Sequence, residues 1–354
     1  MKKVRYGMIG FGGIGENRIA KEGFALDKGR FDGHPIAELV VAWDPNPARE
    51  EAAKALGLEW AATGEAILDD PSIDAVVIAS NNRTHAQWGK AALEKGKHVL
   101  LEKPAGVTRE EVSELDELAK AKGLSLGVDH MMTKNEYNIM ARDLIAKGEL
   151  GAIDAITLHM EFAYGLIPEE AASWRCSDPL ELGGPIGDVG SHCFYMAEFL
   201  LDTKITELYC LYTPKTADFN VEAGAYIKFN TAKGIEGVAR VAFDQKRGSL
   251  DGTLKNLGYE VYGEKGFIEG KGVMFQLSGH DDEPVALSLT AHLDGKVEDL
   301  KPSKITNIYA AQIAEHAQSI LDKRPISGEG AVRNLEQILL SHESAQEGGA
   351  LKKM

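Results

Sequence analysis

Gly10-Phe11-Gly12-Gly13-Ile14-Gly15 spaces three glycines as G-x-G-x-x-G directly after the apolar run Val4 to Ile9. That spacing suits a dinucleotide. The first glycine permits a tight turn, the second lets the backbone approach a pyrophosphate, and the third lets the next helix pack closely on the strand. Helix-compatible Ile14 to Lys21 follows, and a helix N-terminus attracts anions. A plain strand-to-helix turn would explain the glycines alone; their place after a strand and before a helix favours the cofactor. Asp44 ends the next apolar run, where a carboxylate would accept from ribose hydroxyls. As a residue before Pro45 it is also a good turn former. It lies further from Gly15 than the usual spacing of about 20 residues. The surplus, Gly23 to Pro35, reads as an insertion at the N-terminal edge of the sheet, away from the cofactor. No Lys or Arg follows Asp44 before Arg49, so nothing evident would pair a 2′-phosphate, and NAD is favoured over NADP.

The elements that must position these groups alternate in the first third. Leu39 to Trp43, Ala75 to Ala79 and His98 to Leu101 are further apolar runs, and Thr84 to Lys95 between two of them is helical in composition. Uniformly apolar strands spaced by helices predict a parallel sheet covered on both faces. Thr108 to Lys122 is a marked helix, with Thr108 and Glu111 as a capping box and Gly123 after its end. Beyond residue 126 the pattern changes. A helix, Lys134 to Lys147, precedes longer β-branched and aromatic stretches: Ile153 to Phe162, Ile205 to Tyr212, Ala223 to Phe229, Gly234 to Phe243 and Gly258 to Gly263. Ala232-Lys233-Gly234 reads as a hairpin turn. Two helices follow, Tyr309 to Lys323 and Ala331 to Ser344. The expectation is an α/β chain. Residues 1–126 form a doubly wound parallel sheet of the Rossmann kind. Residues 127–354 form an α+β domain with a large, mainly antiparallel open sheet.

Composition bounds the function. The chain has 354 residues and a formal charge of −15, which argues against a nucleic-acid binder, since phosphate contacts need clustered Lys and Arg. No apolar run of about 20 residues predicts a membrane span. The first residues lack a signal-peptide cleavage site. Three cysteines (Cys176, Cys193, Cys210) make no disulfide framework and point to a reducing, cytoplasmic compartment. No H-E-x-x-H or paired-cysteine motif occurs, so no metal is expected.

Three further motifs make a resemblance. Ala79-Ser80-Asn81-Asn82-Arg83-Thr84-His85 follows the third apolar run, and Glu102-Lys103-Pro104 ends the fourth. Leu182-Gly183-Gly184-Pro185-Ile186-Gly187-Asp188-Val189-Gly190-Ser191-His192 opens a helix of the second domain. With the N-terminal glycines, these resemble the glucose–fructose oxidoreductase / inositol dehydrogenase (Gfo/Idh/MocA) family, from about Val4 to the last helix. The resemblance implies reversible, NAD(P)-dependent oxidation of one secondary hydroxyl on a sugar, polyol or cyclitol. It implies a homodimer or homotetramer built through the open sheet. It places Gly10 to Gly15, Asp44, Ser80, Asn81, Asn82, His85 and Glu102 to Pro104 at the cofactor. Lys103 would reach the substrate, with Asp188 and His192 opposite, and Trp174, Arg175 and, with less support, Tyr164 in the substrate pocket. Two positions depart from the family's pattern. Leu182 stands where a glycine is usual, and Tyr195 where an acidic residue commonly follows the histidine.

These residues also have ordinary readings. Lys103 could be a solvated surface lysine, Asp188 a helix N-cap, and His192 a satisfied core histidine. His85 and His98 are better read as structural or cofactor-adjacent than as catalytic. Asp188 and His192, four apart, share a face once a helix has begun. Two other functions compete with a dehydrogenase: a hydrolase or lyase that uses tightly held NAD for transient oxidation, and a non-catalytic dinucleotide sensor. A sensor has no need of Lys103, Asp188 and His192 together.

Overall fold

A computed structural model describes residues 3–215, 218–246, 256–275 and 287–354. The expected apolar runs become strands Val4–Ile9 (β1), Ala37–Trp43 (β2), Ala75–Ile78 (β4) and His98–Leu101 (β5). Glu59–Trp60 (β3) and Leu126–Val128 (β6) complete a six-stranded parallel sheet in the order β3-β2-β1-β4-β5-β6. Every residue of β4 is buried, as a strand covered on both faces requires. This is the doubly wound order whose reversal, between β1 and β4, opens a crevice at the carboxyl ends of the strands.

A π-helix, Gly15–Gly23, follows β1. The α-helices described are Glu50–Ala55 (α1), Gly64–Asp69 (α2), Asn82–Glu94 (α3), Arg109–Lys122 (α4) and Glu136–Ala146 (α5). After them come Pro168–Ala171 (α6), Trp174–Ser177 (α7), Ser191–Leu201 (α8), Ile308–Leu321 (α9) and Glu329–Gln346 (α10). The capping box of α4 forms as expected, and Gly123 ends that helix at φ 66°.

The described residues divide into two compact units. One holds residues 3–131 and Thr306–Leu335; the other holds the rest. In the first unit α9 packs on the π-helix. A Cβ at Gly23 would fall 2.7 Å from Ile313 Cδ1 and 3.1 Å from Tyr309 Cβ, so glycine sets that approach. Below the contact, the Tyr6 hydroxyl and His316 Nδ1 are hydrogen-bonded at 2.8 Å. Burial pushes His316 down to about 3, which keeps it neutral. The inserted stretch lies at the amino end of the strands. His34 Nδ1 accepts from the Ala37 amide, so its Nε2–H donates to the Ala310 carbonyl at 3.1 Å.

The second unit is built on nine strands: Ile153–Glu161 (β7), Ile205–Tyr212 (β8), Gly224–Thr231 (β9), Glu236–Ala242 (β10), Leu257–Gly263 (β11), Gly266–Lys271 (β12), Ser288–Leu293 (β13), Lys296–Leu300 (β14) and Lys352–Lys353 (β15). Their order is β14-β13-β12-β11-β7-β10-β9-β8-β15. Among the described residues only the β7–β10 pair is parallel; every other pair is antiparallel. The turn expected at Ala232-Lys233-Gly234 joins β9 to β10, with Gly234 at φ 77°. On β9, Ala225, Ile227 and Phe229 are buried and Tyr226 and Lys228 exposed. Helices α5 and α8 pack on this sheet.

Candidate active site

In the first unit, the residues after β1, β2, β4 and β5 meet one another. Gly10 has φ 93°, and a Cβ there would fall 2.4 Å from Ser80 N and 2.5 Å from Ala79 C. The loops after β1 and β4 can touch only because this residue has no side chain. A Cβ at Gly15 would lie 2.5 Å from Gly10 O. At Gly12 and Gly13 it would meet nothing within 4 Å. The outer glycines thus serve the packing of the protein, while the middle pair faces open space. The helix that follows starts at Ile14 and Gly15 with no side-chain cap, which leaves its first N–H groups available to an anion. These features fit a dinucleotide pyrophosphate.

Asp44 closes the turn expected of it. Its Oδ1 accepts from the Asn46 amide at 2.9 Å, closing the turn, and its Oδ2 accepts from Phe11 N at 2.7 Å, beside the glycine loop. The short turn Pro47–Arg49 brings Arg49 back to the same peptide. Arg49 Nε donates to Phe11 O at 2.7 Å, and its terminal nitrogen pairs with the Glu16 carboxylate. Against the cost of desolvation, Lys21 and Arg49 hold the Glu16 carboxyl below its usual range. From sequence alone Arg49 looked too far along the chain to matter. The structure places it beside the glycine loop, with its charge already engaged by Glu16.

His85, almost fully buried, ties two more strand ends together. Its ring nitrogens lie 2.7 Å from Pro104 O and 2.9 Å from Ser80 O. Ser80 also shares a hydrogen bond with Thr84 at 2.8 Å, and Asn81 and Asn82 open α3. Glu102 Oε2 accepts from Lys103 N at 3.1 Å. Lys103, half-buried, precedes a cis bond to Pro104.

In the second unit the motif residues are held by partners of their own. Leu182 has φ 50°, a left-handed conformation, which explains why a glycine suits that position. Asp188 lies in a π turn, Ile186–Gly190, and His192 is the second residue of α8. Arg175 Nε donates to Asp188 Oδ2 at 3.1 Å, and its guanidinium stacks on Trp174 at 4.7 Å. The Tyr164 hydroxyl shares a hydrogen bond with Ser173 Oγ at 3.2 Å. The Asp188 carboxylate pushes the Arg175 guanidinium up, and the contact is a charge-assisted hydrogen bond. His192 Nδ1 is 2.6 Å from the Tyr195 hydroxyl.

Glu222 was not anticipated. Its Oε1 accepts from Ile186 N at 2.9 Å, anchoring the π turn, and its carboxyl fills the space a Cβ at Gly184 would need. Burial pushes this carboxyl up to about 7. A lone acid in the apolar stretch Val221-Glu222-Ala223 was the available signal.

Known proteins share the sequence pattern and the fold. The family model described as "Oxidoreductase family, NAD-binding Rossmann fold" (GFO_IDH_MocA) matches residues 4–130, and the GFO/IDH/MocA C-terminal domain matches residues 139–269. The chain is 26% identical to the 1,5-anhydro-D-fructose reductase of Ensifer adhaerens, over 88% of this chain and 87% of that protein. It is 28% identical to D-xylose 1-dehydrogenase (NADP(+)) 2 of Haloferax volcanii, over 99% of each. The fold superposes on the aldose-aldose oxidoreductase of Caulobacter crescentus with a TM-score of 0.85 at 21% identity, over 100% of both chains. The chain belongs to the Gfo/Idh/MocA family of NAD(P)-dependent oxidoreductases.

Proposed function

We propose that this protein interconverts a secondary alcohol and a ketone on a sugar, polyol or cyclitol, with NAD as its redox cofactor. The observation that carries the reading is the glycine loop, open at Gly12 and Gly13 and flanked by Asp44, on the same unit as Lys103. When bound, NAD supplies the acceptor or donor of the hydride at the carbinol carbon. Gly10 to Gly15 would hold its pyrophosphate, Asp44 its ribose, and Ser80, Asn81, Asn82, His85 and Glu102 to Pro104 the rest.

The chain's own groups handle the oxygen and the proton. The Lys103 ammonium donates to the reacting oxygen and favours its alkoxide character. His192 takes the hydroxyl proton in oxidation and returns it in reduction, because imidazole titrates near neutrality. Asp188, held by Arg175, is assigned to the substrate hydroxyls or to orienting His192. Trp174 and Arg175 supply a stacked aromatic and cation for the sugar ring.

A cytoplasmic location accords with three buried, free cysteines, and among the described residues no helix is long and apolar enough to cross a membrane. A homodimer or homotetramer accords with Tyr209, Leu211, Tyr226 and Tyr262, exposed on β8, β9 and β11.

The test is absorbance at 340 nm with NAD or NADP across aldoses, polyols and cyclitols, with the matching ketones and NADH for the reverse direction. At least one substrate should turn over, with higher kcat/KM for NAD. No turnover in either direction across the panel would overturn the reading.

A further inference from the structure

In this chain the position three residues after the histidine holds Tyr195, whose hydroxyl is 2.6 Å from His192 Nδ1. The rings meet edge to face, 5.4 Å apart at 81°, and the residues are 4% and 6% exposed. Such burial fixes the rotamers of both. We propose that Tyr195 is the positioning residue of the acid–base centre, acting through His192; this rests on the role given to His192 above.

The chemistry of a phenol is what makes the arrangement specific. It can donate to Nδ1 of a neutral imidazole and accept from Nδ1–H of an imidazolium. It therefore follows His192 through both protonation states without changing its own charge across the neutral range. A carboxylate at the same point would attract the imidazolium and raise the pH at which the base is released, commonly by one to three units. Titratable groups on the elements packed against α8 are Asp188 on the π turn, Asp154, His159 and Glu161 on β7, Glu236 and Arg240 on β10, and Glu136, Tyr137, Arg142 and Asp143 on α5, with Glu198 on α8 itself. Asp188 pairs with Arg175, His159 with Glu260, Glu161 with Arg240, Glu236 with Lys228, Arg142 with Asp143 and Glu198 with Lys204. On α8 itself, burial pushes the Cys193 thiol up, so it stays neutral. Tyr195 thus orients His192 in either protonation state, which suits a reaction run in both directions.

The experiment compares kcat, KM and the pH profile of kcat/KM for wild type, Tyr195→Phe and Tyr195→Glu, with His192→Ala alongside. Tyr195→Phe keeps the buried ring and should fold. Its kcat should fall roughly 10–100-fold, the range for a lost orienting bond, with KM changed less than about threefold on the same grounds. Tyr195→Glu, if it folds, should move the acidic limb at least about one unit upward. Wild-type kcat and profile in Tyr195→Phe would overturn the proposal, whatever the glutamate variant does. If His192→Ala loses the limb while Tyr195→Phe is normal, the proposal fails alone. If His192→Ala keeps the limb, the role of His192 and the proposal fall together.

Discussion

Gly12→Ala and Gly15→Ala change the same atom count in the same loop, yet the structure assigns them opposite effects. At Gly12 the added methyl meets nothing within 4 Å and the backbone is not left-handed. The folded state loses nothing, and the unfolded chain loses freedom, so stability should hold or rise by about 0.4–1 kcal/mol. The methyl would stand where a phosphate must approach. Losing one charge-assisted hydrogen bond costs about 1.5–3 kcal/mol, or roughly 10- to 150-fold in Kd. At Gly15 the methyl would lie 2.5 Å from Gly10 O and 3.3 Å from Met8 Sδ. A backbone oxygen cannot swing aside, so overpacking of about 1–3 kcal/mol should lower the melting temperature. NADH fluorescence titration and thermal melting, run on both variants, separate the two effects. If Gly12→Ala binds NADH as wild type does, or melts lower, the assignment of the open glycine to the cofactor is wrong.

Lys103→Met should lower kcat roughly 10²–10³-fold, as for one oxyanion donor, with NADH affinity changed far less than kcat; near-normal turnover would refute its role. Asp44→Ala should weaken NAD and narrow its advantage over NADP, because Arg49 stays at the loop; higher kcat/KM with NADP in wild type would contradict the part given to Asp44. Glu222 binds its proton more tightly folded than unfolded, since burial lifts it from 4.5 to about 7. Its contribution is complete below about pH 4.5 and lost as the pH rises through 7. Glu222→Gln should therefore gain stability over wild type from pH 5 to pH 8, by up to about 3 kcal/mol; a difference flat with pH in denaturant unfolding would speak against it.

The sequence carried most of the first sheet, because β1, β2, β4 and β5 are apolar runs largely buried in a parallel sheet. It did not show β3 or β6, which are two and three residues long and owe their pairing to neighbours. Nor could it say that α9 belongs with the first unit. The amphipathic pattern of Ile308 to Leu321 shows that the helix has a buried face, and only Gly23 and Tyr6 identify what that face meets. At the candidate site, motif spacing found the glycines, Lys103, Asp188 and His192. It could not find their partners. Arg49 returns through a short turn, Glu222 comes from a segment far along the chain, and the Tyr195 contact depends on rotamers.

The pH profile of kcat/KM for His192→Ala tests the central claim most directly. The account predicts a loss of roughly 10²–10⁴ in kcat, the usual worth of general acid–base catalysis, and disappearance of the acidic limb, with NADH still bound. A variant that keeps that limb and most of its rate would move the proton transfer away from His192 and contradict the account.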